Sequence, residues 1–304
     1  MTTYYPYLRG RMYDLLALKA LCENQQLGPH IIPIIEPVRD SKELQQTVQV
    51  LLAAKQPFSV IANPQVSVYG LNHTRLYPLP DLTSAPFYHP SAILAADFSA
   101  DFLTTTPGQT SLSIAPNYPL LKTYQRTAVL KQVAGILIPN EARLHQIAGS
   151  RSILLTDSLT FWPHVADYAQ LTDDYFAPAN WHQLPLGYQA FGDYSIVGSV
   201  YFDKGFPARA IAIHVIYVTP TGCLRIHHFV SDSNEQRGGQ KQKFFEALTK
   251  LITWAPTHLT GLNATPALAE LVAYAHQPKF PGLGPIKKLM LMHHLQLMNR
   301  LLAD

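Results

Sequence analysis

The chain reads as an α/β protein of the (β/α)8, TIM-barrel-like class, extended at its C-terminal end by a β-hairpin and helices. Three observations predict this. Short, unbroken apolar runs alternate with amphipathic segments through residue 155, as in a parallel sheet covered on both faces. An Asp, Asn or Glu stands just past six of these seven runs, where a barrel places its catalytic rim and an open sheet its ligand crevice. After residue 200 the alternation gives way to two β-rich runs around TPTG and then three helical stretches.

Taken in order, Tyr4–Leu8 reads as the first strand, and Arg11–Asn24 as a helix with Leu15, Leu18 and Cys22 on one stripe. Ile31–Ile35 is a strand ending at Glu36, and Ser41–Lys55 a helix that Asp40 or Ser41 can cap. Phe58–Ala62 ends at Asn63, and the Pro- and Tyr-rich segment 64–90 reads as a long loop. Ala92–Ala96 ends at Asp97, and Leu112–Ala115 ends at Asn117 with a helix running to Lys131. Gly135–Ile138 ends at Asn140 with a helix to Ala148, and Ser152–Leu155 ends at Asp157. Residues 158–190 are aromatic and irregular. Ala210–Val218 is the expected eighth barrel strand, with Cys223–Val230 its antiparallel neighbour across the turn. Gln236–Trp254, Pro266–His276 and Pro285–Leu302 read as helices. Residues 1–200 form the barrel core on this reading, and 201–304 carry the last strand, hairpin and helices of one continuous domain.

Bulk properties exclude several classes. Charged residues make up 14% and the net charge is +3, which gives no strong nucleic-acid signal. Cys22 and Cys223 lie far apart without metal-type spacing, as expected of free thiols in a reducing cytosol. The apolar run at Ala210–Val218 is broken by His214 and falls well short of the roughly 20 residues a membrane span needs. The N-terminus lacks a charged segment followed by an apolar one. A cytoplasmic protein is therefore expected. No GxSxG, HExxH, P-loop, CxxC or EF-hand pattern occurs, which leaves serine hydrolase, zinc protease and P-loop NTPase readings without support.

Three constellations could carry chemistry. At the strand ends, Glu36, Asp97 and Asp157 are candidate catalytic groups and candidate ligands of a divalent metal, with Asn63 and Asn117 as substrate contacts. Arg9 follows the first strand and could contact a substrate anion, or pair with Glu36 in a buried ion pair. Asp193, in GDY at 192–194, could face the same rim. In the hairpin, an even loop sets His214 opposite His227 and an odd loop sets it beside His228. With Ser231 and Asp232 following, His227 and His228 suit a metal or acid–base site, or simple cross-strand packing. In GLGPIKK, Gly282 and Gly284 permit a turn, Pro285 suits the first helical position, and Lys287 and Lys288 fall in the first turn. Cations there oppose the helix dipole, which a bound phosphate or carboxylate would reverse. His294 shares a face with Lys287, whereas His293 lines up with Ile286, Met290 and Leu297 as a core residue.

The segments YYPYLRGR, IIPIIEPV, AFGDYSIVG, AIHVIYV, IHHFVSDSN, FEALTKL and FPGLGPIKKLMLMHHLQLM resemble an uncharacterised bacterial family named after a locus in a myxobacterium. That family is often encoded beside a small nuclease-like protein and is distantly similar to the phage Beta protein family. The likeness runs from Tyr4 to about Met298 and is poor over 64–185, where His164–Val165 precedes Ala166–Asp167–Tyr168 in place of the family's Arg–Asn. It implies a fold and an association with the nuclease-like partner, in phage defence or on a mobile element, rather than a reaction. Two functional expectations follow. One is a metal-assisted hydrolase of a phosphate-containing, anionic small molecule. The other is a non-catalytic partner subunit that binds through aromatics such as Tyr69, Tyr77, Phe87, Tyr88, Phe161, Trp162 and Trp181.

Overall fold

The computed structural model describes residues 2–69, 75–179, 183–185, 187–203, 209–235, 237–277 and 279–303. In chain order the elements are β1 (Tyr4–Gly10), α1 (Met12–Glu23), β2 (Ile34–Pro37), α2 (Lys42–Ala53), β3 (Phe58–Ile61), β4 (Tyr88–Ile93) and β5 (Leu112–Ile114). Next come α3 (Tyr118–Tyr124), α4 (Ala128–Gln132), β6 (Gly135–Ile138), α5 (Ala142–Ala148), β7 (Ser152–Thr156), β8 (Asp173–Ala177) and β9 (Ala190–Asp193). The last are β10 (Ala212–Val218), β11 (Leu224–Val230), α6 (Gln240–His258), α7 (Pro266–Ala273) and α8 (Leu283–Ala303).

The chain divides into two compact units. The first comprises Met1–Asp157 and His182–Tyr194, the second Ser158–Trp181 and Ser195–Asp304. The first unit is a closed barrel in the order β1-β2-β3-β4-β5-β6-β7-β9, every pair parallel. This bears out the expected (β/α)8-type fold. The closing strand, however, is Ala190–Asp193. Ala210–Val218 pairs elsewhere, so its reading as the eighth barrel strand is corrected. AFGD is short and carries a glycine, whereas the later run is rich in β-branched residues, so propensity pointed to the wrong segment. The glycine is required there: a Cβ on Gly192 would stand 2.2 Å from the Tyr5 carbonyl oxygen, where β9 closes on β1.

Alternation along the strands fills the barrel interior with Tyr5, Tyr7, Ile32, Ile34, Ile61, Ile93, Leu112, Ile114, Leu137, Ile153, Leu155 and Ala190. The opposite faces of β4–β6 pack Ala92, Leu94, Ala115, Ile136 and Ile138 with helix residues such as Leu121, Leu130 and Leu144. Side-chain caps from Ser41 and Asn117 start α2 and α3. Two strand boundaries differ from expectation because proline hid them. Pro33 has no N–H, so the β2 ladder begins at Ile34 and runs through Glu36. Pro90 lies inside β4, which therefore starts at Tyr88.

The second unit is a three-stranded antiparallel sheet, β10-β11-β8, carrying α6, α7 and α8. The five-residue loop 219–223 is odd, so His214 pairs with His228 and Val215 with His227. Strand β8 lies in the stretch expected to be irregular. Cys22 and Cys223 are free thiols. No helix among the described residues is long and apolar enough to cross a membrane.

Candidate functional site

All eight barrel strands are parallel, so their C-terminal ends share one rim. There the inward-pointing alternation passes from apolar to polar. Tyr5 and Tyr7 lead to Arg9, Ile34 to Glu36, Ile61 to Asn63, Ile93 and Ala95 to Asp97, Leu155 to Asp157, and Ala190 and Gly192 to Tyr194. Glu36 is the centre of this tier and is fully buried. Its Oε2 accepts from the Arg9 guanidinium and from the Tyr7 hydroxyl at 2.7 Å, and its Oε1 accepts from the Gln65 backbone N–H at 2.8 Å. The register makes Arg9 and Glu36 direct neighbours on β1 and β2. The Arg9 guanidinium also lies 5.2 Å from the Tyr7 ring and 5.6 Å from that of Tyr194. Burial raises the Tyr7 and Tyr194 hydroxyls above their ordinary values, so both stay protonated.

The buried ion pair anticipated as an alternative for Arg9 is therefore what forms. Arg9 is committed to Glu36, which argues against its reading as a substrate-anion contact. The metal reading is corrected for a related reason. Among the described residues no three His, Cys, Asp or Glu side chains group as an ion would require. Both Glu36 oxygens are already occupied, so Glu36, Asp97 and Asp157 do not form a resident metal centre.

Asn63 clamps strand ends, donating to the Ile93 carbonyl at 2.9 Å and accepting from the Ile93 N–H at 2.8 Å. Its amide also reaches Asp97 Oδ1 at 3.4 Å, and the Gln65 amide donates to the same oxygen at 3.0 Å. Asp97 and Asp157 are both exposed at this rim. Asn117 is the N-cap of α3, accepting from Leu120 N–H at 3.1 Å, a structural duty rather than the expected substrate contact. Asp193 has the opposite parity to Gly192 and faces away from the barrel interior. It accepts from the Tyr4 hydroxyl at 2.7 Å, and Tyr4 stacks on Phe191. Its expected place beside Glu36 is corrected on that parity. The sequence reading missed Tyr7, Gln65 and Tyr194. Counting twos from Tyr5 would have found Tyr7, and counting twos from Ala190 finds Tyr194 once β9 is known, whereas Gln65 acts through a loop that no periodicity marks.

The second unit holds the remaining candidates. One Nδ1–H of the His214–His228 pair donates to the other ring's Nδ1 at 2.6 Å, and the Tyr168 ring packs on both. Burial lowers these imidazoles to about 3 and about 4, so both are neutral. His227 turns to the other sheet face and donates to Asp173 Oδ2 at 3.0 Å, not to Asp232. Asp173 also binds the Tyr217 hydroxyl at 2.7 Å and the Arg225 guanidinium. Although its partial burial opposes this, hydrogen bonds from Tyr217, His227 and Arg225 hold its carboxyl below the ordinary value.

Helix α8 starts at Leu283, two residues earlier than expected. Gly282 takes the left-handed conformation at φ +97°, and Pro285 still precedes the first paired N–H, that of Ile286. Lys287 and Lys288 thus sit beyond the first turn, which removes the dipole argument for an anion there. His293 is a core residue as expected, bonded to the Ile216 carbonyl and Thr265 at 2.7 Å each. His294 is equally buried and bonds Ser195 Oγ at 2.6 Å, which corrects its reading as a substrate contact. Lys287, Lys288 and His294 belong to the second unit, and Arg9 and Glu36 to the first.

The fold and this rim define the first unit as a parallel closed barrel of the (β/α)8 class with a carboxylate-bearing C-terminal mouth. Comparisons with family models, curated proteins and solved structures found no match.

Proposed function

We propose that the barrel is a hydrolase of a phosphate-containing small molecule that enters as its magnesium complex. The observation that carries this is the inward polar tier at the strand C-terminal ends, whose exposed ionisable groups, Asp97 and Asp157, are both carboxylates. With Arg9 committed to Glu36, the exposed charges of this tier are negative and disfavour a bare phosphate there. A magnesium–phosphate complex reverses the sign, because Mg²⁺ takes one or two carboxylates together with substrate phosphates and water. Asp97 and Asp157 dock the substrate's cation. Water attacks phosphorus as the P–O bond breaks, and a carboxylate accepts the water proton. The fixed Arg9–Glu36–Tyr7 cluster holds the rim rigid.

Calorimetric titration with magnesium pyrophosphate, magnesium alone and pyrophosphate in EDTA tests this, with ³¹P NMR reporting cleavage. Binding is expected only for the complex and should fall about tenfold or more in Asp97→Asn/Asp157→Asn. Equal binding in EDTA, or equal binding by the variant, overturns it.

A second reading is favoured by exposed aromatics of the second unit. Phe161 and Phe202 stack with centroids 6.0 Å apart while 49% and 44% exposed, and Tyr175 is 52% exposed. Such a surface suits the nuclease-like partner that the family resemblance suggests, in a cytoplasmic phage-defence setting. Of the other aromatics expected to bind, Tyr69 is buried and Trp181 lies outside the described residues. Co-purification with that partner should be lost in Phe161→Ser/Phe202→Ser, and retention would eliminate this surface.

A further inference from the structure

The second unit contains an open, groove-like cavity of about 550 Å³ between β11 and α6, within the roughly 300–1,000 Å³ of small-molecule sites. Phe229 and Trp254 give it an aromatic wall, and Thr172, His227, Lys250 and Thr253 give it polar ones.

Two of its polar groups are fixed in position with bonding capacity left over. His227 donates its Nδ1–H to Asp173, which Tyr217 and Arg225 anchor in turn. A carboxylate on Nδ1 selects the tautomer whose Nε2 is an acceptor, and no described residue hydrogen-bonds that Nε2. Desolvation keeps this ring neutral against the pull of Asp173. Lys250 donates to the Val230 carbonyl and to Asp232 Oδ1, both at 2.6 Å. An ammonium has three donors, so one remains.

Charge and shape select the ligand. Lys250 is the ionised group on the cavity wall. Its partner Asp232 is 71% exposed, and Asp173 is engaged behind His227. Trp254 stacks with His227 at 4.7 Å and with His258 at 4.0 Å, so the indole is held in place and forms the aromatic wall together with Phe229. We infer that this cavity binds a small organic anion bearing a planar ring. Its anionic group sits on Lys250, a ring N–H or exocyclic amine donates to His227 Nε2, and its ring lies against the aromatic wall of Phe229 and Trp254. This site lies wholly within the second unit and does not rest on the barrel reading.

A nucleoside monophosphate carries all three features, so 5′-AMP is the probe for the full chain. Tryptophan fluorescence should change saturably with AMP, and adenosine or inorganic phosphate alone should bind at least tenfold more weakly. Lys250→Met and His227→Gln should each weaken AMP about tenfold with unchanged circular dichroism. Thr253→Tyr fills the cavity without removing either polar group and should abolish binding, which keeps the inference testable if His227→Gln fails to fold. No saturable binding, phosphate binding as tightly as AMP, or variants that bind like the parent would each overturn it.

Discussion

Replacing Arg9 with Met strands the Glu36 carboxylate in the barrel. Glu36 has no exposed side-chain surface and Arg9 only 13%, so this pair is shielded from the screening that makes surface ion pairs weak. Breaking a buried pair by removing one partner costs about 3–5 kcal/mol. Glu36 keeps its bonds from the Tyr7 hydroxyl and the Gln65 N–H, each to a charged acceptor and worth about 1.5–3 kcal/mol, which places Arg9→Met near 3 kcal/mol. For a unit of this size about 2–4 °C is lost per kcal/mol, so Tm should fall by roughly 6–12 °C. Glu36→Gln leaves Arg9 beside two tyrosine rings and should cost less. The double variant should cost clearly less than the two singles together, because it leaves no buried charge alone. Circular dichroism during urea unfolding reads this out. The three tryptophans, Trp162, Trp181 and Trp254, all fall in the second unit, so their fluorescence follows that unit while circular dichroism follows the whole chain. A cost under about 1 kcal/mol for Arg9→Met, or additive singles, would refute the buried-pair argument.

Other predictions follow from packing and protonation. Gly192→Ala should prevent barrel closure, because the new methyl meets backbone; Gly135→Ala meets the movable Cδ1 of Ile153 at 2.5 Å and should be milder, as relative soluble yield and Tm will show. His214, His228, His293 and His294 have pKa values pressed to about 3, 4, 4 and 3, below an unfolded value near 6.5. Their contribution is fully present above pH 6.5 and is lost as pH falls through 6.5 toward 4, by up to about 1.4 kcal/mol per pH unit for each ring. Urea midpoints followed by tryptophan fluorescence between pH 7 and 4.5 should therefore fall steeply, and a flat profile would contradict neutral burial. Ser195 adopts φ +54° and bonds His294, so Ser195→Ala should cost about 1–3 kcal/mol and Ser195→Gly less, since glycine relieves the backbone strain; the reverse order in urea unfolding would refute this.

What could be read from the sequence depended on how each feature is encoded. Seven barrel strands were visible because burial on both faces writes unbroken apolar runs. The eighth was not, because AFGD owes its place to a glycine-sized gap beside Tyr5 rather than to hydrophobicity. Glu36 and Arg9 were recognised as neighbours from strand order alone, and the odd hairpin loop decided between His227 and His228. Asp193 was misassigned because one step in parity turns a side chain from the barrel interior to its outside. Asp173, the anchor of His227, was invisible: it lies in a short strand whose ladder exists only once β11, more than fifty residues later, has formed. Long-range partners of that kind leave no local periodicity to read.

The chain leaves the barrel after Asp157, contributes β8 to the other sheet, and returns for β9 before departing again. On an emerging polypeptide neither unit can be completed first and set aside. The barrel has an open seam until residue 193 has been made, and β8 has no ladder until β11 follows it. The seam joins strands some 190 positions apart, as in the Tyr4 pairing with Phe191, a closure whose entropy must be met before its contacts form. Synthesis therefore passes through a stage in which seven strands present two unpaired edges, the state most open to misassociation. No single cut yields an independent half. Stopping the chain at Asp157 omits the seam strand, and starting at Ser195 omits an edge of the second sheet.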